Sequence, residues 1–273
     1  MKDTISSNSL FHFTRKLPYL KSILTEGFLP SYCLEDFDIF KFITEDNDAS
    51  KFEMAVPMVC FCDIPLSKVK THMSTYGYYG IGLSKSWGIK AGVSPLFYVS
   101  GDSATTQSIY FSLTYLRSHP LFGKDAILDR QYDRLTRLIR FTKPYKGKFY
   151  RNGKYLNNIT FYNEREWRYI PDITDQSKRI LIKSAKPWLD KETFESLRAT
   201  IDENGKTQLF ALNEELRRTF PLKFAVNTIR YIIVEKQADV YEIVSELRKI
   251  YDEKDAILLS SKILTKQQIF DDF

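Results

Sequence analysis

Asn163-Glu164-Arg165-Glu166-Trp167-Arg168-Tyr169-Ile170-Pro171 alternates charged and aromatic side chains, and this alternation decides the class of fold. Successive side chains of a strand point to opposite faces, so Glu164, Glu166 and Arg168 share one face while Arg165, Trp167 and Tyr169 share the other. A strand of this kind packs a single face on a core and turns its polar face to solvent or a cleft. Immediately upstream, Arg151-Asn152-Gly153-Lys154 is a two-residue hairpin signal. Near the start of the chain, Leu10-Phe11-His12-Phe13-Thr14 repeats the pattern, with His12 and Thr14 opposite Phe11 and Phe13.

Between these segments the chain alternates strand and helix signals. Leu17 to Gly27 reads as a helix with proline in its first turn and glycine as its stop. Cys33 to Met54 lacks clean periodicity and reads as an irregular cover, followed by a strand from Val56 to Cys62. Tyr76 to Leu83 reads as a strand, Ser84 to Lys90 as a short helix or turn, and Pro95 to Ser100 as a strand. Ser103 to Ser118 and Ile127 to Ile139 have helical spacing, with Leu128, Tyr132, Leu135 and Ile139 on one buried stripe. Beyond Pro171, a polar stretch from Asp172 to Lys178 precedes an apolar strand at Ile180-Leu181-Ile182. Helices are expected over Pro187–Ile201 and Leu209–Arg218. Then come a buried strand at Arg230–Val234, an amphipathic helix carrying Val240, Ile243, Val244, Leu247 and Ile250, and a closing strand at Ile257-Leu258-Leu259. No repeat or linker interrupts the 273 residues, so the expectation is one α+β domain with helical insertions.

Hydrophobic residues at 43% and aromatics at 15% mark a globular chain rather than a disordered one. No apolar run reaches the roughly 18 residues of a membrane span, and the amino terminus has no apolar leader, so a cytoplasmic protein is expected. A reducing compartment disfavours disulfides among Cys33, Cys60 and Cys62, and these read as core thiols with no metal required. The net charge is +6, and it is unevenly placed. From Arg130 to Lys154 nine basic residues face Asp133 alone, with aromatics between them. Such a segment fits RNA or single-stranded DNA, with Lys146, Lys148, Arg151 and Lys154 on phosphates. It equally fits a solvated helix face followed by a basic hairpin.

Tyr76-Gly77-Tyr78-Tyr79-Gly80-Ile81-Gly82-Leu83-Ser84 places Tyr78, Gly80, Gly82 and Ser84 on one face, where the missing side chains would let a flat ligand approach the backbone. The glycine order matches neither a dinucleotide fingerprint nor a phosphate-binding loop. By itself, Glu164-Arg165-Glu166 reads equally as a strand edge whose acids Arg168 neutralises, and His12 as a core histidine bonded to a carbonyl.

The order His, Tyr, Glu along these segments resembles the signature of ADP-ribosyltransferases. The strings FHFT, CFCDIPLS, YGYYGIGLSKSW and EREWRYIP, spread from Leu10 to Pro171, more closely resemble the AbiGi family of abortive phage resistance proteins. The resemblance implies a split mixed β-sheet around an NAD cleft, with NAD as substrate. Glu166 would then hold the ribose and stabilise the oxocarbenium-like charge that forms as nicotinamide leaves, and Glu164 would orient the acceptor. His12 and Thr14 would hold a ribose hydroxyl. Tyr76 and Trp87, separated by ten residues, would sandwich nicotinamide, with Tyr79 competing for the first place and Ser84 completing the set. AbiGi-type proteins are also named as antitoxins, which makes a non-catalytic partner of a cognate toxin the alternative, with NAD hydrolysis a third.

Overall fold

The computed structural model describes residues 6–36, 53–151, 154–174 and 181–273, apart from the side chains of 149–151, 154 and 155. Its centre is strand β3, Glu53–Cys62, ten residues of which Ala55 to Val59, Phe61 and Cys62 are buried. The first half of β3 pairs antiparallel with β2 (Ser31–Asp36) and with the short β11 (Leu189–Asp190). Its second half pairs antiparallel with β10 (Glu166–Tyr169) and touches β1 (Ser9–Thr14). β1 continues to β4 (Tyr79–Ser84), then to β12 (Ile229–Val234), and β12 pairs in parallel with β13 (Ile263–Thr265). β5 (Ser94–Pro95) closes the other edge beside β10, which gives a nine-stranded mixed sheet.

Alternation divides this sheet into two faces. On one, Leu10, Val59, Phe61, Ile81, Leu83 and Ile232 pack against helix α1 (Leu17–Glu26) and helix α8 (Gln237–Ile250). Pro18 starts α1, and Gly27 stops it at a φ of 82°, a conformation that favours glycine. On the other, Phe11, Phe13, Cys62 and Ile233 pack against helix α2 (Lys70–Tyr76) and helix α10 (Lys266–Asp272). A third cluster joins Tyr32, Ala55 and Leu189 to helices α6 (Lys191–Ala199) and α7 (Gln208–Thr219). Helices α4 (Ala104–Ser118) and α5 (Ala126–Arg140) form an arm capped by Ser103 and Asp125, with few buried side chains. No helix of the described residues is long and apolar enough to cross a membrane.

Several expectations need correction. Tyr76 ends α2 instead of starting a strand, and the strand begins at Tyr79, because Gly77 at a φ of 130° turns the chain. Pro95–Ser100 splits into β5 and β6 (Phe97–Val99), and α3 (Lys85–Lys90) follows β4 directly. Ile257-Leu258-Leu259 lies in helix α9 (Glu253–Ser260), whose start Asp252 caps by accepting from the Asp255 amide, and the closing strand is β13. Leu181 and Ile182 lie outside any strand, and Ile180 lies outside the described residues, as do 37–52 of the expected cover. The ends of that cover are strands β2 and β3. The basic hairpin forms as β8 (Lys146–Arg151) and β9 (Lys154–Thr160), and its turn residues Asn152 and Gly153 lie outside the described residues.

Candidate functional site

The charged face of β10 does not reach water. Glu166 is 7% exposed and Arg168 is fully buried. Both Glu166 oxygens are taken: Arg168 Nε donates to Oε1 at 2.6 Å and Lys143 Nζ donates to Oε2 at 2.7 Å. Arg168 also donates to Glu35 Oε2 at 2.6 Å and to the Arg140 carbonyl oxygen at 3.1 Å. Burial by itself would raise the Glu166 carboxyl, but the Arg168 and Lys143 charges outweigh it and hold the group well below the usual carboxylate range. Burial likewise opposes the charge on Lys143, yet Glu166, Glu35 and Glu164 keep its ammonium above its ordinary value. Two cations thus hold three acids under the sheet, and the cluster keeps one net negative charge.

Glu164 and Glu166 do not share a strand. Glu164 ends a 3-10 turn, Phe161–Glu164, and Arg165 follows in the left-handed region at a φ of 45°, which reverses the alternation expected from sequence. Asp63 holds that turn, since its amide donates to the Arg165 carbonyl oxygen at 2.9 Å and its own carbonyl accepts from Arg165 Nε at 3.1 Å. The buried Asp63 carboxylate also takes Lys85 at 2.9 Å and the hydroxyl of Ser6 at 2.8 Å. The turn leaves Glu164 accepting from Lys143 at 2.9 Å and from the Tyr76 hydroxyl at 2.7 Å. Burial, and then the Glu164 charge, push the Tyr76 phenol up, so it stays a proton donor.

Tyr76 and Glu164 therefore meet at the inner wall of a groove of about 660 Å³ between α2 and β9. The His72 ring lies tilted against Tyr76 with centroids 4.5 Å apart, and burial pushes its imidazole down to about 4, so it is neutral at pH 7.

The remaining expected site residues fall elsewhere. His12 points to the α1 side of the sheet, with its ring edge-on to Phe28 and Phe61 at 5.2 and 5.8 Å. β1 and β3 part beyond the pair Phe11 and Cys62, and His12 Nδ1 spans the gap by donating to the Cys60 carbonyl oxygen at 2.8 Å. Burial lowers its basicity. The idea that His12 and Glu166 meet in one cleft is thereby corrected: Glu166 pairs with Cys62 on the opposite face. Thr14, opposite Tyr79, shares the His12 face. Tyr79 is buried and donates to Asp239 Oδ2 at 3.1 Å, and Trp87 packs on Phe28, Phe61 and Phe224. Ser84 is buried opposite Ser9 at the far end of β4. Gly80 and Gly82 accept no outside ligand, because an added Cβ would stand 2.7 Å from the Phe13 ring and 2.6 Å from the Phe11 ring. The flat rings lying on these glycines belong to the protein itself.

Lys146 and Lys148 are exposed on the hairpin, while the side chains of Arg151 and Lys154 lie outside the described residues. Sequence reasoning missed Lys143 and Glu35. Lys143 was one lysine in a basic run, and only its place between the buried Thr142 and Pro144 in β7 (Thr142–Pro144) sets it apart. Glu35 is one of several acids in its stretch of sequence and carries no signal of its own.

Comparison with known proteins adds a family. Residues 26–235 match the family model described as "Putative abortive phage resistance protein AbiGi, antitoxin". The chain is also 29% identical over 266 residues to an abortive phage resistance protein AbiGi of Lactococcus lactis subsp. cremoris, across 90% of this chain and 100% of that protein. No solved structure matches.

Proposed function

Since the chain belongs to the AbiGi family of abortive phage resistance proteins, we propose that it acts in phage defence as a non-catalytic antitoxin-type partner that binds a cognate toxin protein. The observation that carries this reading is the double occupation of Glu166 by Arg168 and Lys143. A carboxylate that stabilises an oxocarbenium-like sugar must face the sugar with an oxygen free to do so. Here both oxygens are bound inside the protein, and His12 stands on the other face of the sheet. On this reading the sheet is an ADP-ribosyltransferase-like core whose His, Tyr and Glu no longer converge.

The test has two arms. Purified protein incubated with NAD should release no nicotinamide, and co-production with each product of the neighbouring genes in a bacterial host should relieve the growth arrest caused by one of them, with a stable complex on gel filtration. Sustained nicotinamide release that Glu166→Gln abolishes in folded protein would overturn the proposal.

A second reading keeps chemistry at the groove. It is favoured by the Tyr76 to Glu164 hydrogen bond, which places a charged carboxylate and a phenol where a ligand of nucleotide size fits. NAD would be the substrate, with Glu164 as the working acid and RNA, DNA, protein or water as acceptor. Nicotinamide release lost in Glu164→Gln but kept in Glu166→Gln would select it.

A further inference from the structure

The groove between α2 and β9 has a second wall that neither reading uses. Tyr162 lines it at 47% exposure, and Tyr145, at 42%, lies beside Tyr162 with ring centroids 5.8 Å apart and planes 35° from each other. Tyr98 supports Tyr162 edge-on at 5.3 Å, and its hydroxyl oxygen accepts from the Glu166 amide at 2.9 Å. Two exposed aromatic rings backed by a third, half-buried one form a platform and not a core, because a core would cover them.

The charge around this platform is positive. Lys146 stands 5.9 Å from the Tyr145 ring centroid, and the hairpin register places it opposite Thr160, which lines the groove. Lys68 lines the other wall. Among the described residues neither lysine, nor the neighbouring Lys148, has an acid partner. One acid also lines the groove, Glu164, and it shares the Lys143 ammonium with Glu166. Asn158 and Asn163 add exposed amides, which can donate and accept at once.

We infer that this groove binds single-stranded nucleic acid, with bases stacked on Tyr145 and Tyr162 and the phosphate chain tracked by Lys68, Lys146 and Lys148. Unpaired bases present a flat face to any aromatic platform, and phosphates supply the charge that free lysines lack. A duplex hides its bases and keeps them from the platform. RNA and single-stranded DNA share this chemistry, and only the 2′-hydroxyl separates them at the asparagines.

The test uses the full chain and fluorescence anisotropy with labelled oligouridine and oligothymidine of about 12 nucleotides, a duplex of the same length and polyglutamate as competitor, from about 50 to 200 mM salt. The single strands are expected to bind at least about tenfold more tightly than the duplex, and tighter binding of oligouridine than oligothymidine marks RNA as the source. Joint replacement of Tyr145 and Tyr162 by alanine should weaken binding about tenfold or more. Joint replacement of Lys146 and Lys148 by serine should lower the salt slope by about 1.4, near 0.7 for each lost phosphate contact. Arg130→Ser with Arg134→Ser, an equal loss of charge on the arm, should change the affinity by less than about threefold. The inference is overturned if the arm variant weakens binding as much as the groove variants, if the tyrosine variant binds as wild type, or if polyglutamate displaces the strand at equal charge. The last result would mean an acidic protein segment is the occupant.

Discussion

On the α1 face of the sheet, Leu10, Phe61, Ile81 and Ile232 bury carbon against carbon, and the polar His12 among them has one hydrogen bond to a carbonyl oxygen. On the opposite face around β10, Arg168, Lys143, Glu166, Glu164 and Glu35 are closed off with one another. The first arrangement tolerates local change in proportion to volume. The second does not, because a buried charge that loses its partner keeps the full cost of desolvation. Burial of this kind is weak evidence for stability and stronger evidence for a fixed geometry, since each member has its partners at set distances. The fixed geometry here is the turn that sets Glu164 at the groove.

The sharpest way to break the contrast is Arg168→Met, which takes from Glu35 and Glu166 the guanidinium they share and leaves Lys143 as the one remaining cation of the cluster. It should cost about 3–5 kcal/mol in urea melts, far more than the loss of one side chain's contacts. Adding Glu35→Gln and Glu166→Gln should recover part of that loss, and if the triple variant is no better than the single one, the cluster is not held by its charges.

A second difference appears with pH. His72 titrates at about 4 in the folded protein against an ordinary 6.5, so between these values the unfolded chain binds a proton that the folded chain refuses. Stability present above pH 6.5 is therefore lost as the pH falls through that window, by about 3 kcal/mol in full. His72→Gln should flatten the dependence over that range. Parallel curves for the two proteins would place the titration elsewhere, with His12 as the next group to replace.

Smaller effects probe the carbon-lined surfaces. Gly82→Ala brings a methyl within 2.6 Å of the Phe11 ring and 3.1 Å of Tyr231, and the overpacking should cost about 1–3 kcal/mol, read as a lower midpoint at unchanged slope. An increase in stability there would show that the Phe11 ring moves aside freely. Least of all, Lys21→Ala removes the surface pair with Glu242 that links α1 to α8 at 2.6 Å, and it should change stability by less than about 1 kcal/mol, with the difference vanishing in high salt.

Much of the fold could be read from local pattern. α1 followed from Pro18 and Gly27, α4 and α5 from helical spacing, and β12 from a continuous apolar run. The errors share a cause. Ile257-Leu258-Leu259 is apolar in both helix and strand, and only the cap at Asp252 tells them apart. Tyr76 and Glu164 were each assigned to a strand that begins two or three residues later, and a shift of odd length moves a side chain to the other face. Both slips matter: the Tyr76 to Glu164 hydrogen bond was no part of the expected site, and the expected meeting of His12 with Glu166 is not realised. Period-two alternation says which residues share a face within one strand. It says nothing of which face of one strand matches which face of another, a property set by register between distant segments. Lys143 and Glu35, which complete the charge cluster, come from two further strands and carry no local mark at all.

β3 runs without interruption from the cluster around Tyr32 and Leu189 to the sheet layers that hold Phe61 on one face and Cys62 on the other. The two assemblies thus hang from a single beam, and neither can release its half of the strand without straining the half held by the other. The helices α6 and α7, though remote from the groove, should open to hydrogen exchange in the same cooperative event as β10 instead of fraying ahead of it. A substitution near Leu189 would then loosen the charge cluster at a distance, by lowering the cost of one shared transition.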